Sequence, residues 1–299
     1  MLRGFAAICL AVLLTEAPAA AALVFRRPDT RAIVAARSDG TNRHVIARGT
    51  APVVSPDGRK VASFRNVRAR PELRLVSIDG RQDRKLLNDA LMMARTPVRW
   101  AHGSRRLLAK DYRDDAWLFD LEAGTKHHYP TSLVGADFSP NDNRIVLSEA
   151  TGGSNDQPDL FLRRVGNPGD HLLWPGYSPT RSAAGIVYRQ DPGRLVFARR
   201  PRARPHEVAD TRGDPIGTSA DGHRILVSEG NDVTPYRALL VDPLSKSSKR
   251  LKSVFDSVNG LSRNGRLVLG VIDGDVVQVD RHDEIKVLVR NAAQPSWNK

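Results

Sequence analysis

Short apolar runs separated by clusters of Gly, Pro, Asn, Asp and Ser fill the chain beyond its N-terminal segment. Lys60–Arg65 and Leu73–Ile78 are two of these runs, and each has the length and the β-branched content of a strand. The runs fall into groups of four, which predicts a series of small antiparallel sheets. We name the four strands of each sheet A, B, C and D in chain order.

A turn phrase punctuates these groups. Ser55–Ala62 reads Ser-Pro-Asp-Gly-Arg-Lys-Val-Ala, and degenerate copies return about every forty residues. The copies start at Ala101, Ser139, Ser178, Ser219 and Ser262, with a truncated one at Trp297–Lys299. A period of this length with turn chemistry at a fixed place is typical of β-propeller blades. Pro, Asp and Gly are the residues that an A–B turn needs, so Asp57 and Asp221 are interpreted as turn formers and not as catalytic groups.

The two ends of the chain predict the number of blades. Ala22–Arg27, Arg31–Arg37 and Arg43–Arg48 read as strands B, C and D without a strand A, and Gln294–Asn298 reads as a strand A alone. Together they complete one blade, and closing the ring in this way leaves no exposed sheet edge. The prediction is therefore an all-β, seven-bladed propeller of four-stranded antiparallel blades, with six blades as the alternative.

The repeats resemble a known family. Ser55–Ala62, the tryptophans Trp100 and Trp297 at the ends of A strands, and Ser77-Ile78-Asp79-Gly80 after a C strand are similar to TolB-type, WD-like propeller repeats. The resemblance covers residues 23–299 and implies the propeller fold. TolB itself carries an N-terminal α/β domain before a six-bladed propeller, and we expect neither feature here.

The N-terminal segment predicts export. Arg3 precedes the apolar stretch Phe5–Leu14, which is too short to cross a bilayer, and Ala19–Ala22 offers small-residue cleavage frames. Residues 1–22 are therefore predicted to be a signal peptide, and residues 23–299 the propeller. The single cysteine, Cys9, would leave with the leader, so no thiol chemistry is expected. We expect a secreted, bacterial periplasmic protein.

Charge narrows the class of partner. The chain carries 46 basic and 33 acidic side chains, a formal net charge of +13, which favours anionic partners. For an exported protein we expect an acidic envelope protein or an anionic envelope polymer, with the membrane surface as a further candidate. Nucleic acid is not expected, because aromatic residues are sparse and not interleaved with the arginines. The propeller is expected to be a monomer.

The two faces of a propeller differ in this sequence. The A–B and C–D turns are short and repetitive, whereas the B–C and D–A connections include five irregular stretches: 66–72, 88–97, 111–115, 149–159 and 230–236. Long loops on a rigid scaffold often carry function. The residues predicted to bind the partner are therefore Arg68, Arg70, Met92, Met93, Arg95, Tyr112, Arg113, Gln157 and Tyr236.

Residue patterns for catalysis and metal binding are missing. Gly217–Asp221 lacks the second glycine of a nucleophile elbow, and the histidines have no zinc-helix spacing. His127 and His128 would point to opposite faces of a strand, which argues against joint ligation. We predict no catalytic residues, no metal ligands and no cofactor, and hence a non-catalytic interaction propeller. The alternative is a lyase or hydrolase that acts on an anionic glycan or peptide in the central channel.

Overall fold

Seven antiparallel sheets make up the described part of the computed structural model, which comprises residues 22–67, 70–91, 98–150, 157–166, 169–191, 193–230 and 234–298. Six sheets are four-stranded, and in the remaining one two short segments pair side by side with the same neighbouring strand. The prediction of a seven-bladed, all-β propeller is confirmed, and the six-bladed alternative is wrong. In the described ranges we find no helix with the length and apolar character that a membrane crossing requires.

The blades take their strands from the chain in order, apart from the first. Blade 1 consists of β29 (Ala293–Trp297), β1 (Ala22–Arg26), β2 (Ala32–Arg37) and β3 (His44–Arg48); blade 2 of β4 (Thr50–Val54), β5 (Lys60–Val67), β6 (Arg70–Ser77) and β7 (Asp83–Leu87); blade 3 of β8 (Ala90–Leu91), β9 (Val98–Trp100), β10 (Arg106–Asp111), β11 (Ala116–Asp120) and β12 (Thr125–Tyr129). Blade 4 consists of β13 (Leu133–Phe138), β14 (Arg144–Glu149), β15 (Asp159–Arg164) and β16 (Asp170–Pro175); blade 5 of β17 (Tyr177–Arg181), β18 (Ile186–Gln190), β19 (Arg194–Ala198) and β20 (His206–Asp210). Blade 6 consists of β21 (Asp214–Thr218), β22 (Ile225–Glu229), β23 (Tyr236–Asp242) and β24 (Ser247–Phe255); blade 7 of β25 (Ser257–Leu261), β26 (Leu267–Ile272), β27 (Asp275–Asp280) and β28 (Ile285–Val289).

The ring closes in blade 1, as the sequence predicts. β29 pairs antiparallel with β1, with Leu23 opposite Trp297 and Val24 opposite Ser296. The backbone N–H of Ala22 donates to Oδ1 of Asn298 at 2.6 Å. Ala22 is thus already part of strand β1, at the last position of the predicted leader.

The hydrophobic core lies between neighbouring blades, in a separate cluster at each junction. Phe64 and Leu75 of blade 2, for example, pack with Trp100 and Leu107 of blade 3. The B and C strands are buried on both faces over most of their length, which explains their near-continuous apolar runs. We call the face with the A–B and C–D turns the turn face, and the opposite face the loop face.

The repeated phrase forms the A–B turn on the turn face, as predicted. Ser55 Oγ accepts the N–H of Lys60 at 2.9 Å, and Asp57 Oδ1 accepts the N–H of Arg59 at 3.0 Å. Gly58 has a φ of 71°, a left-handed conformation that glycine adopts without strain. The phrase is therefore a structural unit that recurs because every blade needs the same turn.

One of the predicted copies was misplaced. Ser178-Pro179-Thr180 lies inside strand β17, and the serine in the turn position is Ser182, whose N–H donates to the carbonyl of Gly185 at 2.9 Å. The reason is that Pro also marks the start of several A strands: Ala51, Ser178 and Gln294 each precede a proline, and each has a positive φ of 47–50° at a shift in strand register. The dipeptide Ser-Pro therefore occurs in two structural places.

The predicted loop 88–97 was also partly wrong. Ala90 and Leu91 form strand β8, which pairs with Asp111 and Lys110 of β10. Strand β9 then pairs with the next part of β10, from Ala109. Strand A of blade 3 is thus represented by two short segments, β8 and β9, which both pair with β10.

Candidate binding cavity

The central channel opens on the turn face as a cavity of about 730 Å³. All seven blades contribute to it through the ends of their A strands and their A–B turns. Its lining residues are Val53, Val54, Pro56, Asp57, Val98, Arg99, Trp100, His102, Gly103, Ser104, Asp137, Pro140, Ser182, Ala183, Thr218, Ser219, Ala220, Leu261, Arg263, Ser296, Trp297 and Asn298. The cavity thus lies at the end of the molecule opposite the loops that the sequence singled out.

Arg99 crosses the channel. Its Nη1 donates to the carbonyl of Ile216 at 3.4 Å, on the blade three places further round the ring. Its Nε is buried and has no hydrogen-bond partner among the described residues. A guanidinium in this place gives the cavity a fixed positive charge.

Asp137 lines the cavity together with Asp57, and both of its oxygens are already occupied. Oδ2 accepts the N–H of Arg181 at 2.7 Å, and Oδ1 accepts the N–H of Phe138 at 3.0 Å. Burial lowers the pKa of Arg181, and the nearby charge of Arg144 lowers it further, while Asp137 acts in the opposite direction. Asp137 therefore links strand β13 to strand β17, and its carboxylate is not free for a ligand.

The rim is tied together by hydrogen bonds between turns of adjacent blades. The N–H of Asp57 donates to Ser104 Oγ at 2.9 Å, and the N–H groups of His102 and Gly103 donate to the Asp142 carboxylate at 2.8 and 2.7 Å. The His102 ring also contacts Asp142, and this hydrogen bond raises the pKa of His102. Burial alone would raise the pKa of Asp142, but these bonds hold it below its usual value.

Two tryptophans form apolar walls of the cavity. Trp100 is 9% exposed and donates its Nε1–H to the carbonyl of Val53 at 3.0 Å. Trp297 is buried to the same extent and lies against Gly260. With Val53, Val54 and Leu261 these rings make a lining that is apolar on the walls and polar at the rim, an arrangement that suits ligand binding.

Three of the residues predicted to bind the partner meet on the loop face. Arg70 Nη1 lies 3.4 Å from Oδ2 of Asp89, and the N–H of Tyr112 donates to the Asp89 carbonyl at 3.0 Å. Arg113 Nε donates to the Tyr112 hydroxyl at 2.8 Å. Tyr112 is 58% exposed. The structure therefore brings Arg70, Tyr112 and Arg113 into one exposed group.

The other predicted residues do not join this group. Gln157 belongs to blade 4, where its Nε2 is buried without a hydrogen-bond partner in the described residues, and Tyr236 starts strand β23 in blade 6. Arg68, Met92, Met93 and Arg95 lie outside the described residues. The prediction of one continuous binding surface thus stays a prediction.

One group on the loop face has the composition of a metal site. Ligand atoms of Asp111, Asp115 and His128 lie within 4.8 Å of one another, and this is the single such group in the part of the chain that the structure describes. Asp111 Oδ2 accepts the Trp117 Nε1–H at 2.9 Å, while Asp115 Oδ1 accepts the N–H of Thr131 and its Oδ2 bonds His128 at 2.9 Å. Asp115 thus bonds His128 and the turn, while the Asp111 carboxylate is occupied by Trp117 and by the N–H groups of Arg113 and Asp115.

Sequence reasoning missed the cavity and its cation. The available signal was position within the repeat: Arg99 and Asp137 come two residues before Ala101 and Ser139, where copies of the turn phrase start, and Ser296 comes two residues before Asn298 in the truncated copy. That signal is weak, because the inner strands carry register shifts and the facing residue changes from blade to blade. Which side chain reaches across the channel depends on contacts between blades, and the sequence of one blade does not show them.

Comparison with protein families and with curated protein sequences finds no match. Solved structures with the same fold include TolB from Acinetobacter baumannii, with a TM-score of 0.58 and 16% identity over 93% of this chain and 66% of that chain. The β-propeller domain of the Trilobed protease from Pyrococcus furiosus aligns with a TM-score of 0.62 and 15% identity, over 87% of each chain. Oligogalacturonate lyase from Vibrio parahaemolyticus aligns at 0.60 and 10% identity, over 91% of this chain and 85% of that one.

At such identities these likenesses establish the architecture, which occurs in TolB, in a domain of a protease and in a lyase. The TolB resemblance of the repeats agrees with the TolB structure among the matches. The chain is a seven-bladed β-propeller, and its repeats resemble those of TolB-type propellers.

Proposed function

We propose that this protein is a non-catalytic interaction propeller that takes an acidic segment of an envelope protein into its central cavity from the turn face. The observation that carries the proposal is Arg99, a cation held across the inside of a cavity to which all seven blades contribute. Arg263 adds a second cation among the lining residues, and Trp100 and Trp297 supply apolar walls for the side chains of an extended segment.

The lining supports binding more than catalysis. A lyase or hydrolase needs an acid or base that can exchange a proton with its substrate. Asp57 accepts the Ser55 hydroxyl and the N–H of Arg59, and Asp137 accepts two backbone N–H groups. The remaining candidate is His102, which is engaged by Asp142. An enzyme would be favoured instead if a purified sample cleaved an anionic glycan or peptide and H102Q lost that activity.

Export is the second part of the proposal. We infer that residues before the propeller act as a signal peptide and that the mature protein works in the bacterial periplasm. Ala22 sharpens the expected cleavage site, because its N–H bonds Asn298 where the ring closes. N-terminal sequencing of protein from the periplasmic fraction should therefore begin at or before Ala22. Recovery of uncleaved chain in the cytoplasmic fraction alone would contradict this inference.

The binding proposal is tested by capture of partners from an envelope extract at two salt concentrations. Wild-type protein should retain an acidic protein at low salt and release it as salt rises, because screening weakens exposed charge pairs. R263E reverses one charge of the cavity lining and should reduce capture. R266E is the matched control: it makes the same change in the same turn, at an exposed residue that does not line the cavity.

The outcomes separate the two faces. Loss of capture in R263E and retention in R266E would support the cavity. Loss in R113E alone would place the partner on the loop face, as the sequence first predicted, and would contradict the cavity proposal. Capture of an anionic polymer and no protein would assign the other predicted class of partner, and capture of nothing specific at low salt would end the proposal of an interaction module.

A further inference from the structure

Three blades place an arginine in the same corner of the sheet, where strand B begins and strand C ends on the turn face. In blade 3 Arg106 pairs with Asp120 at 3.2 Å, and in blade 6 Arg224 pairs with Asp242 at 2.9 Å. In blade 4 the residue directly opposite Arg144 is a second arginine, Arg164. The acid that neutralises this corner in the other two blades is thus replaced by a cation.

Beside this corner lies a pocket of about 410 Å³ between blades 4 and 5. It is lined by Arg144, Leu162, Arg164, Gly169, His171, Leu173, Pro201 and Arg202. None of these residues is acidic, and within the described ranges none of the three arginines has an ion-pair partner. The pocket therefore gathers three permanent positive charges and a histidine without a counter-charge in its lining.

The local electrostatics make this arrangement unfavourable when the pocket is empty. Like charges directly opposite each other on two strands repel. Arg181 adds to the positive charge behind the corner: its pKa is lowered by burial and then by Arg144. Asp137 opposes this effect but is held by two backbone N–H groups. A bound anion would remove the repulsion.

Blade 6 supplies an internal reference. The pocket between blades 6 and 7 has about 310 Å³ and contains Arg224, Lys249 and Arg281, so it is similarly cationic. Its lining also includes Asp242, which pairs with Arg224. The two pockets occupy equivalent places in the fold, and the protein supplies the anion in only one of them.

We propose that the pocket between blades 4 and 5 binds the phosphate group of an organic phosphate, such as a glycerol phosphate or the headgroup of an anionic phospholipid. Arginine forks match the geometry of phosphate oxygens. The volume exceeds what one phosphate ion fills, and Leu162, Leu173 and Pro201 give an apolar surface for the attached group. This site is separate from the central cavity and does not depend on the function proposed for it.

The test is titration calorimetry and thermal unfolding of the full chain with three probes: inorganic phosphate, glycerol 3-phosphate, and phosphatidylglycerol vesicles against phosphatidylcholine vesicles. Glycerol 3-phosphate should bind more tightly than inorganic phosphate and raise the melting temperature. R144Q/R164Q should weaken this binding by about tenfold or more, since each lost charge-assisted bond contributes on that scale. R199Q/R200Q is the control, because it removes two exposed arginines from the adjacent turn that do not line the pocket.

A structural role of the arginines would give a different result. If the arginines serve to bind phosphate, R144Q/R164Q only removes facing like charges, and its melting temperature without phosphate should equal or exceed that of the wild type. A lower melting temperature without phosphate would indicate that the arginines stabilise the fold. If it fails to fold, R202G replaces it, because Arg202 has a φ of 70° that glycine adopts without strain. Binding to phosphatidylglycerol vesicles but not to glycerol 3-phosphate would assign the lipid as the source, and the reverse would assign a soluble phosphate.

Three results would overturn the proposal. The first is that none of the probes binds. The second is an equal loss of binding in R144Q/R164Q and R199Q/R200Q, which would indicate diffuse attraction by the net charge. The third is binding of inorganic phosphate as tight as that of glycerol 3-phosphate, since a site for an organic phosphate should gain affinity from the attached group.

Discussion

The two faces of this propeller are built in opposite ways. On the turn face the same bond recurs from blade to blade: the hydroxyl of the turn serine accepts an N–H at 2.9 Å from Lys60, Arg144, Arg224 or Leu267, each five residues after its serine. On the loop face the A strands begin with register shifts and with positive φ angles, as at Ala51 and Gln294. The hydrogen bonds on that face differ from one blade to the next.

This difference explains why the cavity lies where the sequence is most repetitive. The same serine hydrogen bond forms the A–B turn in four blades, and all seven blades contribute to one rim, blade 1 through its C-terminal residues. The chemical character of the cavity then depends on the side chains beside the turn serines and within the turns, such as Arg99, His102 and Arg263. Irregular loops are not needed to create a site when a ring of regular turns already encloses one.

Two glycine substitutions test whether the turn face is packed more tightly than the loop face. Gly40 on the turn face and Gly274 on the loop face both have positive φ, at 83° and 75°. A Cβ at Gly40 would lie 2.3 Å from the carbonyl oxygen of Leu288 in blade 7, whereas a Cβ at Gly274 would meet nothing within 4 Å. Gly40→Ala should lower the free energy of unfolding by about 3 kcal/mol, and Gly274→Ala by about 1 kcal/mol.

Urea unfolding of both variants measures this difference. The backbone strain of alanine at positive φ is common to the two, so the excess in Gly40→Ala reports the contact between blades 1 and 7. Equal losses would mean that this junction yields to an added methyl group, and that the turn face is less tightly built than the contact distances indicate.

A second pair compares serines at the two ends of A strands. Ser55 is fully buried, and its Oγ accepts the N–H of Lys60 and donates its proton to the Asp57 carboxylate at 2.5 Å. Ser257, on the loop face, donates at 2.8 Å to Asn259 in an exposed setting. Ser55→Ala should destabilise by about 1.5 kcal/mol because a buried donor is left unpaired, and Ser257→Ala by less than about 0.5 kcal/mol.

Thermal melts of the two alanine variants give the measurement, and Ser55→Thr, which keeps the hydroxyl, is the control. If Ser257→Ala were the more harmful change, the repeated turn would not be the part of the blade that holds its inner edge. The same outcome would show that the hydrogen bonds of the turn serine contribute little to the stability of the blade.

Local turn chemistry was enough to predict the fold, because the same kind of turn returns about every forty residues. The shared blade was predictable for the same reason: an unpaired strand at each end, with Trp297 opposite Leu23, leaves one way to remove both edges. The error at Ser178 came from a dipeptide with two uses, and only pairing partners distinguish them. Arg99 and the facing pair Arg144–Arg164 depend on contacts between blades and across strands, which a one-dimensional repeat does not display.

The histidine at the rim should change the free energy of unfolding only slightly, and in a pH-dependent way. The pKa of His102 is raised by its bond to Asp142, so His102 binds its proton more tightly in the folded state than in the unfolded chain. The stabilisation is therefore complete below the unfolded pKa of about 6.5 and is lost as pH rises through the higher folded value. Because the ring is 47% exposed and screened by solvent, the change should be only about 0.5 kcal/mol.

NMR titration of the His102 ring should give a pKa above 6.5, and D142N should return it toward the unfolded value. Urea unfolding between about pH 6 and 8 should show a shallow loss of stability in the wild type that H102Q lacks. The lowered pKa of Asp142 acts at the other end, since its stabilisation is lost only as pH falls through a value below 3.8. The pair thus stabilises the junction of blades 3 and 4 most strongly between these limits. If H102Q lost stability with rising pH as steeply as the wild type, His102 would not be the group responsible.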